Sequence, residues 1–180
     1  MQEKLPVWVG VGGTPESFVR ARTLGLPLMV AIIGGEFRRF RPLVDLYREA
    51  GRRAGHAPET LQVGLHAIGF VAETVQQAKD IFFPGWLTMF ATIGRERGWS
   101  APSCAQFDAM TGPDGAYLIG DPASVAEKIL KASTVLGGIA RVTFQMSVAA
   151  LDHKVMTRAI ELLGTEVAPH VRSVGATSSL

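Results

Sequence analysis

The sequence predicts an α/β protein built on a parallel sheet, with about four strand–helix units. Three observations carry this. Short apolar, β-branched runs alternate with helix-periodic stretches along the chain. The run Leu28 to Ile33 is apolar at every position, as in parallel strands buried on both faces. Glycine-rich turns followed by Pro or Asp-Pro helix starts join the pieces.

The first strand is expected over Val7 to Val11. It runs into Gly12-Gly13-Thr14-Pro15-Glu16-Ser17, where Thr14 can cap a helix and Pro15 suits its first position. Strand, glycine turn and helix N-terminus together make an anion site whose usual guest is a phosphate, with the N–H groups of Glu16 and Ser17 pointing outward. The same turn is also found where it serves only to reverse the chain. Gly10-Val11-Gly12 matches the start of a dinucleotide fingerprint, but Pro15 stands where its last glycine belongs. No Gly-Lys-Ser/Thr follows, so it is not a P-loop.

The first helix is expected from Pro15 to Leu24, stopped by Gly25, and the second strand from Leu28 to Ile33, ended by Gly34-Gly35. A longer helix over Arg39 to Ala54 carries the apolar stripe Phe40, Leu43, Val44, Tyr47 and Ala50, with its arginines on the wet face. The third strand covers Leu61 to Phe70. A helix begins near Thr74, Pro84-Gly85 breaks it, and Trp86, Met89, Phe90 and Ile93 suggest a second short helix ending near Gly98. Residues 99–115 hold Pro102, Gly112, Pro113 and Gly115 and read as a long loop, a length usual for lids and binding loops. Asp121-Pro122 opens a helix that ends at Gly137-Gly138. The fourth strand spans Ala140 to Met146. A last helix starts near Asp152 and ends before Pro169, leaving a small polar tail from Ser173 to Leu180. The strands' inward side chains are expected to include Val9, Val30 and Phe144. Four units are fewer than an open flavodoxin-like sheet has and half of a (β/α)8 barrel.

The chain has 180 residues, of which 47% are apolar, enough for a sizeable core. Its 18 basic and 16 acidic residues leave a net charge of +2, too little and too evenly spread to argue for nucleic acid or an anionic membrane. The single cysteine, Cys104, excludes an internal disulfide and suits a reducing compartment. No signal pattern and no membrane-length apolar run is present, so a cytoplasmic protein is expected. His66 within the third strand reads as a core histidine rather than a catalytic one. No metal-ligand spacing is found, and no G-x-S-x-G elbow or partnered base supports nucleophilic catalysis.

Beside that reading, the chain resembles the C-terminal half of a bacterial luciferase-like monooxygenase, the LLM class of flavin-dependent oxidoreductases with TIM-barrel folds. The resemblance spans Pro6 to Arg172. Its carriers are Pro6 to Ser17, Leu26 to Gly35, Leu43 to Arg48, Gly69 to Thr74, Ile119 to Ala126, and Phe144-Gln145-Met146, in that order.

The resemblance implies a TIM-barrel-type fold, with the first strand here equivalent to the fifth of the family barrel. It implies that Gly12, Gly13, Thr14 and Ser17 grip the flavin phosphate, that Gly34 and Gly35 lie near the flavin, and that Gln145 sits at the end of the last strand on the catalytic face. Residues from about 84 to 115 would be an insertion near the barrel mouth. It implies FMN as cofactor, or F420 as in some relatives, and a reaction in which a small organic substrate is oxygenated with reduced FMN from a flavin reductase. The first four units, which carry much of the ring pocket and the catalytic residues, are missing. That leaves three expectations open: a homo-oligomer, pairing with a separate N-terminal half, or a non-catalytic fragment or subunit that binds flavin phosphate or a partner chain.

Overall fold

A computed structural model describes residues 5–177; side chains are described to residue 174. The strands are β1 (Val9–Val11), β2 (Leu28–Ala31), β3 (Val63–Val71), β4 (Leu118–Gly120) and β5 (Arg141–Gln145). The helices are α1 (Pro15–Thr23), α2 (Arg41–Arg53), α3 (Val75–Arg97), α4 (Cys104–Thr111), α5 (Pro122–Leu136), α6 (His153–Leu162) and α7 (Ala168–Thr177). Residues 178–180 of the expected tail lie outside the described residues.

All strand pairs are parallel. β1 pairs with β2, β2 with β3, and β3 with β5 along Gly64–Arg141 to Ile68–Gln145. Strands β1, β2, β3 and β5 are therefore neighbours in chain order, each joined to the next by a helical crossover. A doubly wound sheet reverses its strand order, whereas a (β/α)8 barrel does not. The order is that of an arc of a TIM-type barrel.

β4 is the strand that pattern reading overlooked. It pairs with the C-terminal extension of β3, Gly69↔Leu118 to Val71↔Gly120. Its residues are fully buried. Three residues between a glycine-rich turn and an Asp-Pro helix start are too short to show a period.

The expected break at Pro84-Gly85 is corrected: α3 runs unbroken for 23 residues through Pro84. The carbonyl that Pro84 leaves without a helical partner belongs to the exposed Asp80, where water can satisfy it. Tertiary packing holds the helix on both sides, since Phe82 and Trp86 are fully buried. Gly85 is there for close approach: a Cβ on it would collide with the backbone of Ala149. The expected loop at 99–115 is likewise corrected, because α4 occupies its middle. Ser103 caps α4 by accepting from the Gln106 N–H, and Phe107 packs on Trp86 with centroids 5.0 Å apart. At the C-terminus the helix does not end before Pro169. It passes through one π-type turn, Leu163–Val167, and Pro169 falls in the first turn of α7, where a missing N–H costs little.

The main core lies between the sheet and the helices. Val11, Leu28, Val30, Ile32, Val63, Leu65 and Ala67 face Phe18, Val44, Tyr47, Ile129 and Leu136, with Val9, Val142 and Phe144 packed beside them. This corrects the face assignment made from sequence. Val9, Val30 and Phe144 point at the helices and not into a barrel interior. A second core joins Ile68 and Phe70 to α3, α4 and β4 around Trp86, whose Nε1–H donates to the Tyr117 hydroxyl at 3.0 Å.

Candidate active site at the C-terminal ends of the strands

With the helix-facing set fixed, the alternate residues define the inner face. Register places Gly10, Met29, Gly64 and Arg141 in one row, Ala31, His66 and Thr143 in the next, and Ile68 beside Gln145 in a third. The face is polar where helices do not cover it. His66 Nδ1 and Thr143 Oγ1 are 2.8 Å apart, and the Arg141 guanidinium lies 4.8 Å from the centroid of the Trp8 ring. Gly64 is buried beneath Met29 and Trp8, which occupy the space a Cβ would need.

Because the strands are parallel, Gly12 to Ser17, Gly34-Gly35 and Gln145 all fall at one end of the sheet, the end where barrel enzymes keep their chemistry. The loop after β1 behaves unusually at α1. Thr14 occupies the N-cap position with φ −86° and ψ 125°, yet its side chain caps nothing. Its Oγ1 instead pairs with Ser17 Oγ at 2.8 Å. In α3, α4, α5 and α6 the cap side chain accepts from a backbone N–H. One expectation is corrected here: the Ser17 N–H does not point free but donates to the Thr14 carbonyl at 3.0 Å.

The glycines separate into those the fold needs and those it does not. Gly35 has φ +77°, a conformation that favours glycine. Gly12 and Gly34 have no such backbone, and a Cβ on either would meet nothing within 4 Å; on Gly13 it would make ordinary contact with Phe40, 3.8 Å away. Neither strain nor internal crowding calls for glycine at these three positions. They leave exposed backbone and open space on the rim, which suits close approach by an anionic group. Gly13 also touches the β2–α2 connection through Phe40, and Arg39 lies beside Gly35. Gly12 to Ser17 and Gly34-Gly35 thus form adjoining parts of the rim. Gln145, half-buried at the tip of β5, belongs to the inner face, two strands from β2 and three from β1.

Two concavities adjoin this end. One, of about 250 Å³, sits at the end of β3 between α3 and α6, with an apolar wall of Phe70, Ala72, Ile81 and Val155. At its mouth Arg158 donates twice to Glu73, at 2.9 and 2.8 Å. The other, of about 370 Å³, lies between α3 and α4 beside the exposed Cys104. Neither includes the Gly12–Ser17 loop.

Behind the rim, Lys128 of α5 is buried and donates to the carbonyls of Thr111, Gly112 and Tyr117 at 3.2, 2.8 and 2.6 Å. Burial, aided by the nearby Lys131, lowers its pKa to about 8, against the pull of Asp114. It fixes the turn between α4 and β4 to α5. Sequence reading missed both Lys128 and the inner-face pair of His66 and Thr143. For the pair a signal existed: Arg141, Thr143 and Gln145 alternate with Val142 and Phe144, marking β5 as polar on one side. Among the described residues no cluster of His, Cys, Asp or Glu could hold a metal ion, and no helix is long and apolar enough to cross a membrane.

No curated protein matches the chain. Solved structures do. The oxygenating constituent of 3,6-diketocamphane monooxygenase from Pseudomonas putida, solved in complex with FMN, is 21% identical with a TM-score of 0.66, covering 92% of this chain and 48% of its own. The monooxygenase RslO1 from Streptomyces bottropensis is 22% identical with a TM-score of 0.70, over 91% and 47%. The coenzyme F420-dependent tetrahydromethanopterin reductase from Methanopyrus kandleri is 18% identical with a TM-score of 0.64, over 93% and 51%. The chain spans about half the length of these proteins. At such identities the likeness establishes the fold, an α/β parallel sheet of the TIM-barrel type. The model of the luciferase-like monooxygenase family matches residues 1–138, which includes the whole rim from Gly12 to Gly35 and stops short of β5. The chain belongs to the luciferase-like monooxygenase family.

Proposed function

We propose that this chain is the phosphate-gripping half of a flavin-dependent monooxygenase that oxygenates a small organic substrate with reduced FMN delivered by a flavin reductase. The observation that carries the proposal is the rim. Gly12, Gly13 and Gly34 are glycines that the fold does not require, and the Thr14 and Ser17 hydroxyls beside them are bonded to each other rather than to the helix. A phosphate placed there would take the two hydroxyls and the backbone N–H groups of the glycine turn, with the positive end of α1 behind it.

The residues fit the group, and their tasks follow from their chemistry. Thr14 and Ser17 bind and orient the phosphate. Gly34 and Gly35 let the rest of the cofactor pass close to the backbone. Gln145 offers an amide at the far side of the inner face. The bound flavin supplies the electron transfer and oxygen chemistry, for which this chain need provide no acid–base pair. The inner face of β1, β2, β3 and β5 is open on one side, so a second body completes the pocket: another copy of this chain or an N-terminal half.

F420 is the second reading. It is favoured by the likeness to the F420-dependent reductase, at nearly the same TM-score and coverage. Both cofactors bring a phosphate to the rim. Titrating the purified chain with FMN and with F420, followed by fluorescence, separates the two. Saturable quenching by FMN supports the first reading. Quenching by F420 alone supports the second, and quenching by neither sinks both.

A further inference from the structure

We infer that His66 is a positioned hydrogen-bond donor on the inner face, held in one tautomer by Thr143 and aimed at a carbonyl or anionic oxygen of the bound ligand. The inference rests on the cofactor reading above and adds a recognition residue to it. His66 belongs to the long central strand β3, and its ring is half-buried while the residues on either side of it are buried. It stands in the row Ala31, His66, Thr143, on the face opposite α1, α2 and α5; further along β3 the same face packs on α3 and α4 through Ile68 and Phe70.

The neutral imidazole carries one donor and one acceptor nitrogen. Nδ1 lies 2.8 Å from Thr143 Oγ1. The Thr143 hydroxyl has one proton and two possible acceptors, Nδ1 at 2.8 Å and the Met29 thioether at 3.9 Å. The thioether is a weak acceptor and the contact is long. Giving that proton to the shorter contact makes the hydroxyl the donor to Nδ1 and puts the ring proton on Nε2; the opposite arrangement, Nδ1–H donating to Thr143 Oγ1 with the hydroxyl turned to Met29, is the one that proton–nitrogen spectra would reveal. Nε2 has no partner among the described residues, so its N–H is available to a ligand.

The surroundings match an acceptor. Arg141 and Gln145 stand on the same face, and none of the inner-face positions of β1, β2, β3 or β5 is Asp or Glu. A face with guanidinium, amide and imidazole donors and no carboxylate suits a ligand rich in carbonyl or anionic oxygens. It repels an ammonium. A histidine present only to fill core space would need neither the threonine nor an open side.

Long-range proton–nitrogen correlation spectra of the ¹⁵N-labelled chain at about pH 8 read the tautomer directly. The wild type is expected to show His66 with its proton on Nε2 and a hydrogen-bonded Nδ1. Thr143→Val should shift the Nδ1 resonance toward that of a free acceptor. A wild-type proton on Nδ1 would overturn the inference. FMN titration, followed separately by flavin fluorescence, tests the ligand contact. Quenching together with a moved Nε2–H signal is the expected result. Quenching with an unmoved signal overturns the role of His66 and leaves the cofactor reading standing; no quenching overturns both. His66→Phe should weaken FMN binding on the order of five- to tenfold, as loss of one hydrogen bond does. His66→Gln, which restores an N–H at the same reach, should recover most of it. Equal affinity in the Phe and Gln variants, with melting as in wild type, overturns the inference as well.

Discussion

Lys128 on α5 and Tyr117 beside β4 are joined by a hydrogen bond of 2.6 Å from ammonium to backbone carbonyl, and the same ammonium reaches Thr111 and Gly112. One buried cation thus serves three carbonyls of this turn, of which that of Gly112 also accepts from the Gly115 N–H. Lys128→Met keeps the stem and removes the donors. It should destabilise the chain by about 1–3 kcal/mol, the cost of leaving buried carbonyls unsatisfied offset in part by relief of the buried charge. Urea unfolding at neutral pH measures it, and an unchanged midpoint would contradict it.

The same lysine gives a pH dependence of definite sign. Its pKa is about 8 in the folded chain against 10.5 ordinarily. Below about pH 8 both states hold the proton. Between about 8 and 10.5 the unfolded chain still holds it and the folded chain has released it, so the unfolded state binds more protons and stability rises with pH. The contribution gained between pH 8 and 9.5 is up to about 2 kcal/mol. Comparing urea midpoints at these two pH values for wild type and Lys128→Met isolates it. A wild-type difference that the variant reproduces would rule Lys128 out as the source.

At Gly85 the expected effect is steric. The position meets the Ala149 backbone, where no flexible side chain can yield. Ala favours helices over Gly by about 1 kcal/mol. Here Gly85→Ala should nonetheless destabilise, by roughly 1–3 kcal/mol, because overpacking forces the backbone to shift. A higher melting temperature in the variant would show that α3 and the Ser147–Ala149 turn separate without cost.

On the rim the prediction runs the other way. Gly12→Val and Gly13→Val add side chains where the fold has room, so melting should change little. FMN binding should weaken at least about tenfold as the branched side chain occupies the space of the phosphate. Affinity equal to wild type in both variants would remove the rim from the cofactor site.

These residues also show what the sequence could and could not disclose. The glycine turn after β1 and the helix start at Thr14-Pro15 were legible because their chemistry is local. That the strands pair in parallel followed from alternation with helices, whereas the sequential order of β1, β2, β3 and β5 was implied only by the family resemblance. The face of each strand was not legible from β2, since Leu28 to Ile33 are apolar throughout and either parity could meet the helices. β5 held the answer in its alternation of Arg141, Thr143 and Gln145 with Val142 and Phe144. Pro84-Gly85 misled because its reason is tertiary: the glycine admits Ala149, which is 64 residues away in sequence. The use of His66 could not be read from β3 alone, because Thr143 lies 77 residues further on.

The last prediction concerns association. β1 has β2 as its only strand partner among the described residues, and β5 has only β3. Each therefore keeps one edge of backbone N–H and C=O groups free of strand pairing, which invites pairing with another chain. Val30 supplies no part of the drive, because it is fully buried, and Val9 and Phe144 supply little, being packed partly buried against the same core. What remains is the two edges and an inner face on which Trp8, Met29, His66 and Thr143 are only half-buried. Four parallel strands do not close a barrel, whereas about eight fill its interior with side chains. A two-fold dimer would set β5 of one copy beside β1 of the other at two equivalent seams, all strands parallel. It would also bring two copies of Arg141 to one interior with no carboxylate between them, a cost that an N-terminal half bearing acidic inner residues would not incur. The chain alone should therefore associate weakly, with a dissociation constant in the micromolar range. Arg141→Gln should tighten it, and added salt should do the same by screening the repulsion. Sedimentation equilibrium over micromolar concentrations measures all three, and a 19.3 kDa monomer at every concentration and salt would refute the seams.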